Sequence, residues 1–182
     1  TLDLVSSFAA QISCILVGRY LEGEGFKVST VDNPGILLRR NVHGTLQVDH
    51  QASYEAIAGN LGKAEGIQIV AGGTARTEQG ALSALQPDGG DLTATLIAAV
   101  LKSELIEMWT GMDGVMSADP IHVKESFVIP QLSYQEAMEL SYFGARMIHS
   151  QSLVPAMEAG VPVQIRNLER PDNPGTRICA DP

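Results

Sequence analysis

The sequence predicts an α/β fold with a mainly parallel sheet, and three features of the 182-residue chain indicate it. Residues 1–35 contain a helical pattern, an alternating strand pattern and a turn, an order that suits a βαβ-type protein. Residues 67–71 are a compact apolar run bounded by glycines, of the kind that lies inside a parallel sheet. A further apolar run from Leu105 ends near Thr110 in a polar loop, which is where open α/β sheets bind ligands.

The first helix is predicted over residues 3–22, ending at Gly23 or Gly25. Its apolar residues recur at helical spacing, which predicts an amphipathic helix: Leu4, Val5, Phe8, Ile12, Ile15, Leu16 and Leu21. Cys14 lies among them, so we expect a buried free thiol. The only other cysteine is Cys179, far away and without metal-ligand spacing, which favours a cytoplasmic location.

A strand, a turn and a second helix follow. Residues 26–31 alternate as a strand, and Asp32-Asn33-Pro34-Gly35 turns the chain into the short apolar run 36–38. The polar composition of residues 41–47 predicts a loop. Residues 51–61 then carry an apolar face at helical spacing, which predicts a helix before the strand at 67–71.

Residues 72–91 form a long loop in this interpretation, with a hairpin about residues 78–80. An apolar helix over residues 91–101 is entered through Gly89 and Gly90. Free backbone N–H groups at such an entrance attract anions, and glycines let a ligand come close. The alternative is an ordinary glycine turn in which Asp91 only caps the helix.

The loop after Trp109 is the first candidate site. Gly111, Asp113-Gly114 and Asp119-Pro120 are turn formers at the carboxyl end of a buried strand. Turn chemistry by itself also explains these residues, so the residues alone leave a ligand site and a structural turn equally open.

The last third of the chain is predicted to contain two helices and a strand. Ser133 and Glu136 form a capping box at the start of the first helix, after a short extended piece at 127–132. A second helix is expected over residues 151–158, followed by a final strand at 161–165. The Pro- and Gly-containing segment 171–176 reads as a turn-rich exit.

Composition limits the classes of function. At this length the chain is expected to be a single domain or a large part of one. The formal net charge of −9 argues against non-specific binding to nucleic acid or to an anionic membrane. No run is long and apolar enough to span a membrane, and the N-terminus lacks the basic region of a signal peptide. The chain reads as a piece of something longer.

Several motifs resemble those of aspartokinases, in the amino-acid kinase family. The loop after Trp109 is similar to the family's nucleotide-binding loop at Trp109, Thr110, Asp113, Gly114, Val115, Ala118, Asp119 and Pro120. The stretch 132–145, Leu-Ser-Tyr-Gln-Glu-Ala-Met-Glu-Leu-Ser-Tyr-Phe-Gly-Ala, is the most specific match. The resemblance runs from Ser7-Phe8 to Gly175-Thr176 and implies a three-layer α/β/α amino-acid kinase fold, without the opening strand and without the regulatory domains toward which residues 171–182 would exit.

The resemblance also implies a function. Aspartokinases transfer the γ-phosphoryl group of ATP, with Mg²⁺, to the side-chain carboxylate of L-aspartate in lysine and threonine biosynthesis, and a homo-oligomer is implied for the full-length protein. The implied catalytic residues are Asp91 and Arg146. The implied nucleotide-binding residues are Thr110, Gly111, Asp113, Met116 and Arg146, and the implied substrate-binding residues are Gly72, Gly73, Gly89, Gly90 and Asp91. No protein ligand set for a metal is implied.

Ligand-contacting positions depart from the family pattern. Ala10 stands where a Glu binds the substrate ammonium, Pro87 where an Arg binds its α-carboxylate, and Gly90 where a Ser is usual. On the nucleotide side the departures are Gly111 for Asp, Met116 for an aromatic residue, Ile121 for Arg and Arg146 for Lys. Arg76 is a candidate to replace the Arg lost at Pro87. Two hypotheses therefore stay open: an aspartate kinase fragment, or an impaired module that keeps the fold and nucleotide binding.

One spatial prediction connects the two candidate segments. If the chain is a kinase, the phosphates of a nucleotide lie where the helix entrance at residues 89–91 faces the loop after Trp109, at the same edge of one sheet.

Overall fold

The computed structural model describes residues 2–31, 36–43, 45–62, 65–85, 89–142 and 149–182. The chain divides into two compact units, Thr1–Thr93 and Ala94–Pro182. Each unit combines helices with strands, as the sequence predicts for an α/β protein.

The first unit holds two small sheets. Its elements are α1 (Leu2–Gly23), β1 (Val28–Val31), β2 (Leu38–Val42), β3 (Thr45–Val48), α2 (His50–Leu61), β4 (Ile67–Val70), β5 (Thr74–Thr77), β6 (Leu82–Ala84) and the start of α3 (Gly89–Leu101). β1 and β4 pair in parallel, and the second sheet has the order β3-β2-β5-β6. In that second sheet only β2 and β5 are parallel among the described strands.

The second unit is built on one four-stranded sheet. Its elements after α3 are β7 (Ile106–Thr110), β8 (Gln131–Ser133), α4 (Tyr134–Tyr142), α5 (Ser150–Ala159), β9 (Val163–Asn167) and β10 (Thr176–Cys179). The strand order is β7-β9-β10-β8, with β7–β9 and β8–β10 parallel and β9–β10 antiparallel. Parallel pairs thus outnumber antiparallel ones among the described strands, as predicted.

Helix α1 is confirmed, but its apolar residues are not buried as an amphipathic pattern predicts. It contacts the β1–β4 pair at Gly18, where an added Cβ would lie 3.2 Å from the Thr30 hydroxyl. The side chains that point away are more than half exposed: Val5, Phe8, Ile12, Ile15, Leu16, Val17 and Tyr20. Cys14 is correspondingly only half-buried, which corrects the expected buried thiol, and this partial burial raises the thiol's pKa.

Two predicted loops contain strands instead. Residues 41–47 were expected to be a loop, yet β2 and β3 pair antiparallel across this segment and bury one side of Leu46 and Val48 by alternation. The segment 72–91 includes the predicted hairpin, whose arms are β5 and β6. In both cases cross-strand pairing outweighs polar composition, because hydrogen bonding to a neighbour is a tertiary property that local propensity does not report.

The core of the second unit lies on one face of its sheet. Alternate residues of β7 and β9 point into this core, where Met108, Val163 and Ile165 meet Leu153 and Ala156 of α5. The hydroxyl of Tyr134 donates a 2.6 Å hydrogen bond to the carbonyl of Val161, which satisfies the one polar atom that this ring buries. The opposite face of the sheet carries polar and charged side chains.

Strand β10 was not predicted. Its four residues begin at the last position of the turn-rich segment 171–176, and β10 lies between β9 and β8 in the middle of the sheet. The last predicted strand, 161–165, also begins later, at Val163. Short strands next to Pro- and Gly-rich turns give little periodic signal, so β10 becomes visible only through its two partners.

The capping box at α4 is confirmed. The backbone N–H of Glu136 donates to the Ser133 hydroxyl at 3.2 Å, and the Glu136 carboxylate accepts from the Ser133 N–H at 2.8 Å and its hydroxyl at 2.7 Å. These bonds stabilise the ionised carboxylate, so the pKa of Glu136 lies below its ordinary value.

This capping box predicts a pH-dependent contribution to stability. Because the pKa of Glu136 is lower in the folded chain than in the unfolded chain, the contribution is present above the unfolded pKa and is lost as pH falls through the folded pKa. We expect the stability difference between wild type and Glu136→Gln to be largest near neutral pH and to vanish in acid. Urea unfolding at several pH values measures this, with Ser133→Ala reducing the same component. Parallel pH profiles for wild type and Glu136→Gln would contradict it.

Candidate functional site

The loop that follows β7, residues 111–115 and hereafter the β7 loop, is anchored where it leaves the strand. The Thr110 hydroxyl accepts a hydrogen bond from the backbone N–H of Met112 at 3.0 Å. The carbonyl of Thr110 accepts from the N–H of Leu168 at 2.8 Å, in the turn after β9. Two turns at the carboxyl ends of neighbouring parallel strands are therefore joined, at the kind of edge where α/β proteins bind ligands.

Asp113 holds the middle of the β7 loop. Its Oδ1 accepts a 2.7 Å hydrogen bond from the side-chain amide of Asn167, and its Oδ2 forms a 2.7 Å ion pair with Arg170. The family resemblance implies a role for this carboxylate in nucleotide binding. In the structure both carboxylate oxygens bond to other residues of the chain, and these bonds anchor the loop.

Thr176 holds the far end of the β7 loop. Its hydroxyl accepts from the N–H of Val115 at 2.8 Å and donates to the carbonyl of Ile129 at 2.6 Å. Gly114, with φ of 144°, allows this approach, since an added Cβ would lie 2.5 Å from the Thr176 hydroxyl. Met116 follows in a single antiparallel bridge with Val128 and is half-buried, so the loop is fixed at both ends.

Trp109 lies on the polar face of the sheet beside the β7 loop. The guanidinium of Arg166, its partner across the strands, stands 4.9 Å from the ring centroid, within the range of a cation–π contact. Arg166 also forms a 2.9 Å ion pair with Glu107. Trp109 remains partly exposed, so this indole can report on events at the neighbouring loop.

Two of the departures from the family pattern in this unit, Gly111 and Ile121, lie in open space. Among the described residues, no atom is within 4 Å of a Cβ added at Gly111. Ile121 is 83% exposed, and its backbone N–H donates to the Asp119 side chain at 2.8 Å. A Cβ at Gly111 and the exposed side chain at position 121 thus meet no close obstacle among the described residues.

The predicted substrate-binding glycines lie together in the first unit. A Cβ at Gly72 would come within 2.9 Å of the Gly90 Cα, and a Cβ at Gly89 within 2.9 Å of the Gly73 Cα. Thr93 secures this contact, because its hydroxyl donates to the Gly89 carbonyl at 2.6 Å and accepts from the Gly73 N–H at 3.2 Å. The glycines thus let the turn after β4 pack directly on the first turn of α3.

Gly90 differs from its neighbours, since no atom of the described residues lies within 4 Å of a Cβ added there. These residues leave room for the Cβ of the Ser that is usual in the family. Asp91 is the third residue of α3 and not its cap, because the helix begins at Gly89, which corrects the simple-cap alternative. Asp91 is half-buried and interacts within the chain. Its carboxylate lies at the positive end of the helix dipole.

Three further residues belong to the sequence hypothesis. Arg146 and Pro87 fall outside the described residues. Arg76 is exposed on β5 and donates to the Gly80 carbonyl at 3.3 Å, within its own hairpin. The idea that Arg76 replaces a lost substrate-binding Arg stays a prediction.

Sequence reasoning missed the anchoring residues Asn167, Arg170, Thr176 and Thr93. Asn167 and Thr176 belong to the two terminal segments that resemble the family, Ile165-Arg166-Asn167 and Gly175-Thr176. That resemblance was the only available signal, because a residue more than fifty positions from the β7 loop cannot be assigned to it by periodicity.

Within the described ranges, no group of three or more His, Cys, Asp and Glu side chains is arranged to hold a metal ion. None of the helices in those ranges combines the length and apolar character that crossing a bilayer requires.

This geometry defines an α/β protein in which parallel strands are followed by loops of the kind that bind ligands. The model of the amino acid kinase family matches residues 1–167, and the chain belongs to that family. Within it, the chain is a homologue of aspartokinases, being 36% identical over 92% of its length to the bifunctional aspartokinase/homoserine dehydrogenase of Haemophilus influenzae. Aspartokinase 1, chloroplastic, of Arabidopsis thaliana is 34% identical over 98% of the chain.

The fold comparison agrees. The crystal structure of E. coli aspartokinase III in complex with aspartate and ADP matches 93% of the chain with a TM-score of 0.87 and 27% identity. This confirms the amino-acid kinase fold predicted from the sequence. The chain spans 21% of the Haemophilus protein, 32% of the Arabidopsis protein and 38% of the E. coli chain, so it corresponds to a minor part of each.

Proposed function

We propose that the chain is part of an aspartate kinase that transfers the γ-phosphoryl group of ATP to the side-chain carboxylate of L-aspartate, giving 4-phospho-L-aspartate. The observation that carries the proposal is the likeness, over nearly the whole chain, to an aspartokinase crystallised with aspartate and ADP. The finer assignments, with Thr110, Gly111, Met116 and Arg146 at the nucleotide, are part of the same proposal.

The reaction requires the protein mainly to position the two reactants and to neutralise negative charge. A carboxylate is already a nucleophile, so the reaction needs two anions held in line and the charge on the transferring phosphoryl neutralised, with no general base. Mg²⁺ is usually held by one or two carboxylates together with phosphate oxygens, and it would supply much of that neutralisation. Asp91, at the start of α3, is the carboxylate that we propose lies beside the phosphoryl group, as the resemblance implies.

Each of the two candidate segments has features suited to a nucleotide in this proposal. The first turn of α3 presents backbone N–H groups suited to phosphate, and the glycines at 72, 73 and 89 let it pack directly on the turn after β4. The anchored β7 loop is the second segment proposed to bind nucleotide. That both segments bind the same nucleotide stays a prediction.

The second candidate function is a module that keeps nucleotide binding but has lost aspartate binding. Ala10 supports it, because a half-buried methyl group in α1 offers no partner for an ammonium group. Pro87 supports it as well, since proline has no side chain that could bind the α-carboxylate. Losing a bidentate Arg contact to a carboxylate costs several kcal/mol of binding.

Titration with Mg-ADP tests the proposal and separates the two candidates. Trp109 is the only tryptophan and adjoins the β7 loop, so its emission reports nucleotide binding without a label. Calorimetry with L-aspartate in saturating nucleotide follows. Binding of both ligands supports the kinase, and binding of ADP alone supports the module. No response to Mg-ADP by either method would overturn both.

A triple variant sharpens this test. Gly90→Ser, Gly111→Asp and Ile121→Arg restore side chains usual in the family at positions that are sterically open. We expect this variant to bind Mg-ADP at least about tenfold more tightly, equal to about 1.4 kcal/mol, because the restored groups are polar or charged. Gly59→Ser, also in open space but on α2, is the matched control and should leave the affinity unchanged.

Location and assembly are proposed on narrower grounds. The two free cysteines, Cys14 and Cys179, fit a reducing compartment, for which we propose the cytoplasm. A homo-oligomer of the full-length protein is proposed from the resemblance alone.

A further inference from the structure

Asn167 lies between the turn at residues 168–170 and the β7 loop, which is the candidate nucleotide-binding loop. It is the last residue of β9 and its side chain is 1% exposed, although it is an amide. Its Nδ2 donates to Asp113 in the β7 loop at 2.7 Å. Its Oδ1 accepts from the backbone N–H groups of Glu169 at 2.8 Å and Arg170 at 3.3 Å. One buried side chain thus holds both turns.

The oxygen and the nitrogen of the Asn167 amide have different roles, because one accepts hydrogen bonds and the other donates one. The acceptor side of Asn167 shapes the turn at residues 168–170, and an Asp could perform this equally well. The donor side reaches the Asp113 carboxylate, which needs a hydrogen-bond donor that an Asp at position 167 could not supply. Because a part-buried carboxylate is disfavoured without a donor, the Asn167–Asp113 bond is the contact that fixes the position of the β7 loop.

Within the part of the chain that the structure describes, the other contacts of the β7 loop cannot replace this bond. Arg170, the second partner of Asp113, is two-thirds exposed, and exposed ion pairs stabilise little. The contacts of Thr110 and Thr176 hold the two ends of the loop but not its middle. The centre of the loop therefore depends on Asn167.

We infer that Asn167 and Asp113 are a pair of positioning residues that hold the β7 loop ready for the nucleotide, without either side chain contacting the ligand. The inference rests on the proposed nucleotide site and adds the device that preorganises it. Asp113 thereby changes from a ligand residue to the acceptor of a structural bond. Preorganisation of this kind lowers the conformational cost of binding, so its loss appears as weaker affinity.

Reversing the bond gives a specific test on the 182-residue chain. Asn167→Asp keeps the acceptor of the 168–170 turn but places two carboxylates where the hydrogen bond was. The double variant Asp113→Asn with Asn167→Asp restores one donor and one acceptor in the opposite sense. Asn173→Asp is the matched control, since the Asn173 side chain also accepts a turn N–H, from Gly175 at 3.1 Å, but does not contact the β7 loop through any described bond.

Two measurements apply to each variant. Hydrogen exchange of the peptide covering residues 111–116 reports the loop without any ligand, and Trp109 emission gives the Kd for Mg-ADP. For Asn167→Asp we expect exchange about tenfold faster and a Kd about tenfold higher, the size of one lost charge-assisted bond. The double variant should return to within about threefold of wild type, which a general loss of stability would not produce. Asn173→Asp should match wild type in both.

The outcomes are distinguishable. Wild-type exchange and affinity in Asn167→Asp would overturn the inference, and so would a double variant as impaired as the single one. If wild type fails to bind Mg-ADP while exchange follows the expected pattern, the proposed function is lost and the positioning pair stands.

Discussion

Gly175→Ala is expected to lower the free energy of unfolding of the second unit by about 3 to 5 kcal/mol. Gly175 has a φ of 71°, and an added Cβ would overlap the carbonyl oxygen of Ile165 on the neighbouring strand. Backbone cannot move aside as a flexible side chain can, so β10 would have to separate from β9. The next residue, Thr176, holds the β7 loop, which links the defect to the candidate site. Denaturant unfolding followed by Trp109 emission measures the loss.

The control for this substitution is Gly111→Ala in the same unit. Gly111 has no positive φ and nothing within 4 Å of an added Cβ, so we expect a change within about 0.5 kcal/mol. Equal stabilities for Gly175→Ala and Gly111→Ala would show that the strand contact at Gly175 is looser than the structure has it.

Leu153→Ala is expected to destabilise the same unit by about 3 kcal/mol, through lost burial and the cavity left behind. Leu153 is 0% exposed on α5, and its core neighbours include Ala156, Val163 and Ile165. The side chain packs against the sheet whose strand β7 leads into the β7 loop. Thermal or urea unfolding monitored by Trp109 gives the value.

Leu168→Ala is the control for Leu153→Ala, because it makes the same chemical change at an exposed position. Leu168 is 70% exposed in the turn after β9, and only its backbone bonds to Thr110. Its loss is expected to stay within about 0.5 kcal/mol. If Leu153→Ala cost no more than Leu168→Ala, the core on this face of the sheet would not be the source of stability.

The helices and the isolated apolar strands were accessible from the sequence because their signals are local. The α1 spacing, the apolar face of residues 51–61 and the Ser133–Glu136 box each lie within one segment, and the structure confirms all three helices. The aspartokinase resemblance added the fold and the family. This resemblance rests on runs of consecutive matching residues, which are retained even where ligand-contacting residues differ from the family pattern.

The tertiary structure alone decided which polar groups meet. Asp113 and Asn167 are far apart in sequence, and Thr176 is further from Val115, so no periodic pattern relates them. The sequence could name Asp113 as a candidate ligand, whereas the fold determined that its carboxylate bonds to the chain itself. Pairing also determined β3 and β10, which local composition assigned to loops and turns.

The amino-acid sequence by itself determined the class of fold, the positions of the glycine turns and the family to which the chain belongs. The tertiary structure decided that Gly72 and Gly89 serve backbone packing, that Gly90 and Gly111 face open space, and that a buried amide positions the β7 loop. The physical reason is range. Propensity and turn chemistry act over a few residues, but the role of a polar group depends on the partner that folding brings within hydrogen-bonding distance.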